Sequence, residues 1–185
     1  VSAERIELMA SAAGRIGGVT WHHLFLVATD ASGARAYLRA GPESLPRARL
    51  AGRRTLHGDA LEDYEAPAAS PYGAITFSSG PYEPGGVDFD PNAANAPVAS
   101  GAGAAQLWDA LASQAKALAQ EKIPYDPAGR GANWAVMEAL RRCGVEAALP
   151  PKRWAPGVSL GSAPGSAPGA PSAPTRRVGQ AAMVA

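Results

Sequence analysis

His22, His23 and His57 are the three histidines of the chain, and Cys143 is its one cysteine. Such side chains most readily act as bases, nucleophiles or metal ligands near neutral pH. His22 and His23 stand side by side in the apolar run WHHLFLVA, which has the composition of a strand. Neighbouring strand residues point to opposite faces, so the two rings cannot close on one metal ion. No HxxxH or similar spacing offers further ligands, and one cysteine builds neither a disulfide framework nor a cysteine-rich zinc site. No metal and no cofactor are expected. At most one of the two histidines faces a site. His23 reads either as a general acid or base held on a rigid strand, or as a core histidine bonded to backbone. His57, next to Gly58 and Asp59, reads as a surface residue.

Cys143 invites a Cys–His nucleophile, but its place argues against one. It falls in the last turn of an expected helix, where the helix dipole does not lower a thiol pKa. It reads as a core or half-buried cysteine. The start of that helix is a better place for chemistry. Gly129, Gly131 and Ala132 precede Asn133 and leave the backbone accessible. N–H groups there can meet an anion or a developing oxyanion, or can simply be capped after a glycine turn. The glycines do not make a phosphate loop, since no GxxxxGK[ST] pattern is present.

Several elements must position these residues. Ile6 to Ile16 reads as a short strand or an irregular lead-in, because Gly14, Gly17 and Gly18 oppose a helix. Trp21 to Ala28 is mostly apolar on both faces, as in a central strand. Thr29 to Gly33 forms a turn, and Ala34 to Leu38 returns as a hairpin partner. Part of Arg39 to Gly58 is a candidate strand. Its four arginines, Arg47, Arg49, Arg53 and Arg54, read as a solvated edge or, less simply, an anion or partner patch. Ala60 to Ala69 is acidic. Tyr72 to Ser78 is a short strand, Gly80 to Gly86 a turn, and Asp88 to Val98 a Pro/Asn loop. Gly103 to Ala119 is a helix with a stripe of Ala104, Leu107, Leu111, Ala115 and Leu118. A second helix runs from Asn133 or Trp134 to Cys143, with Asn133 as N-cap and Gly144 at C′. Strands early and helices late, without βα alternation, predict an α+β fold: a small antiparallel sheet packed against helices.

The chain has 185 residues, 46% of them hydrophobic, enough for one core. Lys+Arg number 17 against 16 Asp+Glu, so no bulk basic surface points to nucleic acid. Arg176 and Arg177 lie beyond a neutral stretch, GVSLGSAPGSAPGAPSAP, and without them the balance is slightly acidic. That stretch cannot bury enough apolar surface to order itself. The expected division is therefore a folded domain over 1–156 and a disordered Gly/Ser/Ala/Pro-rich tail over 157–185. Val19 to Ala28 is too short for a membrane span. Glu4, Arg5 and Glu7 open the chain where a signal peptide would be basic and then apolar. The chain as given reads as cytoplasmic, with export by a signal-independent route or within a larger protein left open.

The stretches Trp21–Val27, Thr29-Asp30 with Gly33, Ile123–Pro127, Gly131-Ala132-Asn133 and the helix up to Gly144 follow in an informative order. Trp154-Ala155-Pro156-Gly157 extends it. This order resembles the circularly permuted branch of the papain-like NlpC/P60 hydrolases, and a bacterial group within it. The resemblance implies cleavage or transfer at amide or thioester bonds, in cell-wall peptides or lipid-linked groups. It implies a peptide, peptidoglycan or acyl-ester ligand. His23, directly before Leu24-Phe25-Leu26, matches the family's catalytic histidine. Asn133 completes the candidate catalytic pair. Ala132 falls where the family places a cysteine or serine nucleophile, and alanine cannot attack a carbonyl. Ser159 and Ser162 lie in or beside the tail and do not replace it. Two readings follow: an amide or ester hydrolase or acyl transferase using His23, or a degenerate relative that binds without cleaving. The alternative is a non-catalytic binding or accessory domain of a larger secreted or effector protein. Its protein partner would meet Trp21, Trp134, Trp154 and the arginine patch.

Overall fold

The computed structural model describes residues 2–16, 18–44, 71–86, 89–151, 153 and 155–158. His57, the arginines at 47–54, the acidic stretch at 60–69, Trp154, Ser159, Ser162 and most of the 157–185 tail lie outside them. Five strands come first: β1 (Ala3–Ile16), β2 (Val19–Asp30), β3 (Arg35–Pro42), β4 (Ile75–Pro81) and β5 (Ala94–Ser100). Helices α1 (Gly103–Gln120) and α2 (Ala132–Arg142) follow. The strands form one antiparallel sheet in the order β4-β3-β2-β1-β5. The fold is a small α+β domain with this sheet packed against the two helices.

Side-chain alternation builds two layers on the sheet. Ile6, Leu8, Leu24, Leu26, Ala28, Leu38, Ala40 and Ile75 face the helices. They meet Ala104, Trp108, Leu111, Ala115 and Leu118 of α1, and Ala135, Val136, Ala139 and Leu140 of α2. Each fully buried leucine contributes roughly 1.5–3 kcal/mol. The opposite face carries Met9, Phe25, Val27 and Tyr82, with Tyr37, Phe89 and Ala93 packed on them. There the Tyr82 ring lies 5.7 Å from Phe25 and 5.2 Å from Phe89, both tilted. Both faces of β2 are thus covered, as its apolar sequence requires.

Four local expectations change. The lead-in at Ile6–Ile16 is a full strand, β1, because β2 pairs along its length from Ala3↔Asp30 to Ile16↔Val19. The Pro/Asn loop at 88–98 contains β5, held by pairing with β1 from Ala10↔Ala94 to Arg5↔Ser100. Pro97 is tolerated because β5 is an edge strand. The turn expected from Gly80 begins later, since β4 extends through Pro81 opposite Ala36. In α1 the buried position is Trp108, 9% exposed, and Leu107 is only half-buried. The repeat 104-108-111-115-118 follows the helical period more closely than one through 107.

The helices are tied at one end by charge. Glu138 accepts hydrogen bonds from Arg141 Nε and Nη2, both at 2.7 Å, and from Arg142 Nε at 2.9 Å. Arg142 also reaches Glu121, at the C-cap of α1, with Nη2 at 3.1 Å. The Arg141 hydrogen bond, with help from Arg142, holds the Glu138 carboxyl down to about 2, against an ordinary value of 4.5. A carboxyl depressed in the folded state stabilises fully above its unfolded value and loses that contribution as pH falls through the folded one. Part of the acid destabilisation between roughly pH 5 and pH 2 is therefore expected to disappear in Glu138→Gln. Denaturant midpoints measured across that window check this; parallel acid profiles for the two proteins would contradict it.

Candidate functional site at the start of the second helix

β2 and β3 pair only from Leu26↔Leu38 to Thr29↔Arg35. Before Leu26, the β2 edge that would face β3 needs other partners for its backbone groups. Asn133 supplies them. Its Oδ1 accepts the Leu24 N–H at 2.8 Å, and its Nδ2 donates to the His22 carbonyl at 3.0 Å. Nδ2 also donates to the Pro156 carbonyl at 3.2 Å. One amide side chain, 5% exposed, thus imitates a strand neighbour and ties β2, α2 and the 155–158 segment together. This corrects the expected N-cap. Gly131 holds the N-cap position with extended backbone, and Asn133 lies inside the first turn, aimed at the sheet. Gly144 does take the C′ place, with φ +72° and its N–H donating to Arg141 O, while Val145 N–H donates to Leu140 O.

The expected anion-binding backbone is at least partly engaged. Tyr125 accepts a hydrogen bond from the Ala132 N–H. Its ring packs 5.8 Å from that of Tyr72. Burial pushes the Tyr125 hydroxyl above its ordinary pKa, with the Ala132 N–H pulling the other way. Asp126 shapes the turn ahead of α2. Its Oδ1 accepts the Ala128 N–H at 2.9 Å, and its backbone exchanges with Arg130 O and Gly129 N. Arg130 then lies over the Trp134 ring at 5.7 Å.

His23 and Asn133 are brought close along the chain, because Asn133 bonds to the backbone of both neighbours of His23. The side chains divide by face. His22 has the parity of Leu24, Leu26 and Ala28, on the helix side, and is 6% exposed. His23 has the parity of Phe25 and Val27, on the opposite side. The histidine sharing a layer with α2 is therefore His22. The signal in the sequence was its parity with three apolar residues, which becomes informative only once helices are known to cover that face. Ala132 is 5% exposed and part of the helix-side core. Cys143 is half-buried, as expected, and burial raises its thiol pKa.

Among the described residues, no group of three or more His, Cys, Asp or Glu side chains is placed to hold a metal ion. No helix there is long and apolar enough to cross a membrane. No family model matches the chain, and neither the curated proteins nor the solved structures contain a match.

Proposed function

We propose that this chain is a circularly permuted papain-like domain of the NlpC/P60 kind that has lost its nucleophile. It binds a peptide, peptidoglycan fragment or acyl ester and does not cleave it. The observation that carries this reading is the junction of β2 with α2. A histidine-bearing strand is tied to a helix start by a buried Asn133, and the residue before that asparagine is alanine. A methyl group cannot form an acyl intermediate. The Ala132 N–H, which an oxyanion would use, is bonded to Tyr125 instead.

Restoring a thiol tests the papain-like part. An acyl-ester probe is expected to leave the natural chain unmodified. The A132C variant is expected to gain one acyl group, read by intact mass, on the introduced thiol. Cys143 gives little background because it stands at the C-cap of its helix, where the dipole disfavours a thiolate, whereas position 132 opens the first turn. Adding His22→Ala is expected to slow the reaction on the order of a hundredfold, the usual contribution of a base. Adding His23→Ala is expected to leave it nearly unchanged. A folded A132C variant that is never acylated would remove the papain-like reading.

A further inference from the structure

The sheet face away from the helices carries a polar row across three strands. Arg5 of β1 pairs with Thr29 of β2, and Thr29 pairs with Arg35 of β3. Thr29 has the parity of Val27, Arg35 that of Tyr37, and Arg5 that of Met9. Alternation sends all three side chains to that face. Neighbouring strands are about 4.8 Å apart, so the two arginines flank the threonine at one strand spacing on each side. The Arg35 guanidinium lies over the Tyr82 ring, 4.6 Å from its centroid. The ring covers one flat side of the guanidinium and leaves its in-plane N–H groups to find acceptors.

Among the described residues, Thr29 Oγ1 and Arg35 Nε are buried and have no hydrogen-bond partner. These two polar atoms belong to directly paired residues. Buried polar groups are nearly always satisfied, so two such neighbours call for a partner beyond the described residues. Arg5 is the exposed member of the row. Its side chain is 55% exposed, and its Nε meets Glu7 Oε2 at 3.3 Å. A partly exposed ion pair of this kind holds weakly, and an incoming anion can exchange for it.

We propose that Arg5, Thr29 and Arg35 form a binding site for a small oxyanion, a carboxylate or a phosphate group. Guanidinium forks match the oxygens of both groups, and the threonine hydroxyl adds a third donor between them. Arg5 swings from Glu7 to the anion and opens access to the buried pair. The site lies on the other face of the sheet from the β2–α2 junction and stands whether or not that junction is papain-like.

Titrations of the full chain with inorganic phosphate and with sodium acetate, each against sodium chloride at equal ionic strength, test it. The readouts are the melting temperature and the Arg35 Nε–H resonance. A saturable response to at least one anion is expected, and the stronger of the two identifies phosphate or carboxylate. Thr29→Val, which keeps shape and removes the hydroxyl, is expected to weaken binding about tenfold. Arg5→Gln is expected to weaken it at least as much. Glu7→Gln is expected to tighten it, because a competing carboxylate is gone. Either of two results overturns the proposal: no response beyond that of chloride, or affinity unchanged in both Thr29→Val and Arg5→Gln.

Discussion

Asn133→Ala is expected to lower the stability of the domain by about 2–5 kcal/mol. The change strands the Leu24 N–H and the His22 carbonyl, both buried, and removes one bond from Pro156. A buried group left without its partner costs about 1–3 kcal/mol. The loss follows from side-chain chemistry and not from size, so the isosteric Asn133→Asp is also expected to destabilise. Its carboxylate still accepts the Leu24 N–H but faces two carbonyl oxygens. That environment raises its folded pKa, so Asn133→Asp should recover part of its stability as pH falls and the carboxyl protonates. Urea midpoints at neutral and acidic pH measure both effects. A catalytic asparagine with no structural task would leave the midpoints in place.

Gly157→Ala is the second large expected effect. Gly157 has φ +78°, a conformation that costs an L-residue about 1–2 kcal/mol. A Cβ there would also collide with the Gly129 carbonyl oxygen and approach Trp134. Gly18 offers a control. Its φ is +80°, yet a Cβ would meet nothing within 4 Å. Gly18→Ala should show the conformational cost alone, and Gly157→Ala that cost plus the collision. Gly157 follows Pro156, whose carbonyl accepts from Asn133. Losses in Gly157→Ala and Asn133→Ala should therefore combine less than additively. Equal midpoints for the two glycine variants, or full additivity of the pair, would show that the 155–158 segment is not docked on the junction.

Much of the frame was legible in the residues. The run from Trp21 to Ala28 is mostly apolar on both faces, and it is the central strand with both faces covered. The helix near 103–119 and the Gly144 stop were equally clear. β5 was hidden because ANAPVAS has small residues and a proline, and its strand character comes from pairing with β1. Glycines obscured β1 in the same way, although its partner strand fixes its register. At the site, the sequence marked the glycine turn, Asn133 and the histidine pair. It could not show that Asn133 bonds to residues 109 and 111 positions away. Nor could it show which histidine lies on the helix side, since that depends on where the helices pack. Tyr125 gave no signal at all: its link to the Ala132 N–H exists only because residues 123–125 pair with residues 73–75 beside β4.

The proposal of binding without cleavage is tested most directly by incubating the purified natural chain with peptidoglycan fragments and an acyl-ester probe. Complex formation and product release are followed in the same samples. Saturable binding of a fragment or probe, with no product above the protein-free rate, is the predicted result. Product formation by the natural chain that disappears in His23→Ala or His22→Ala would contradict it.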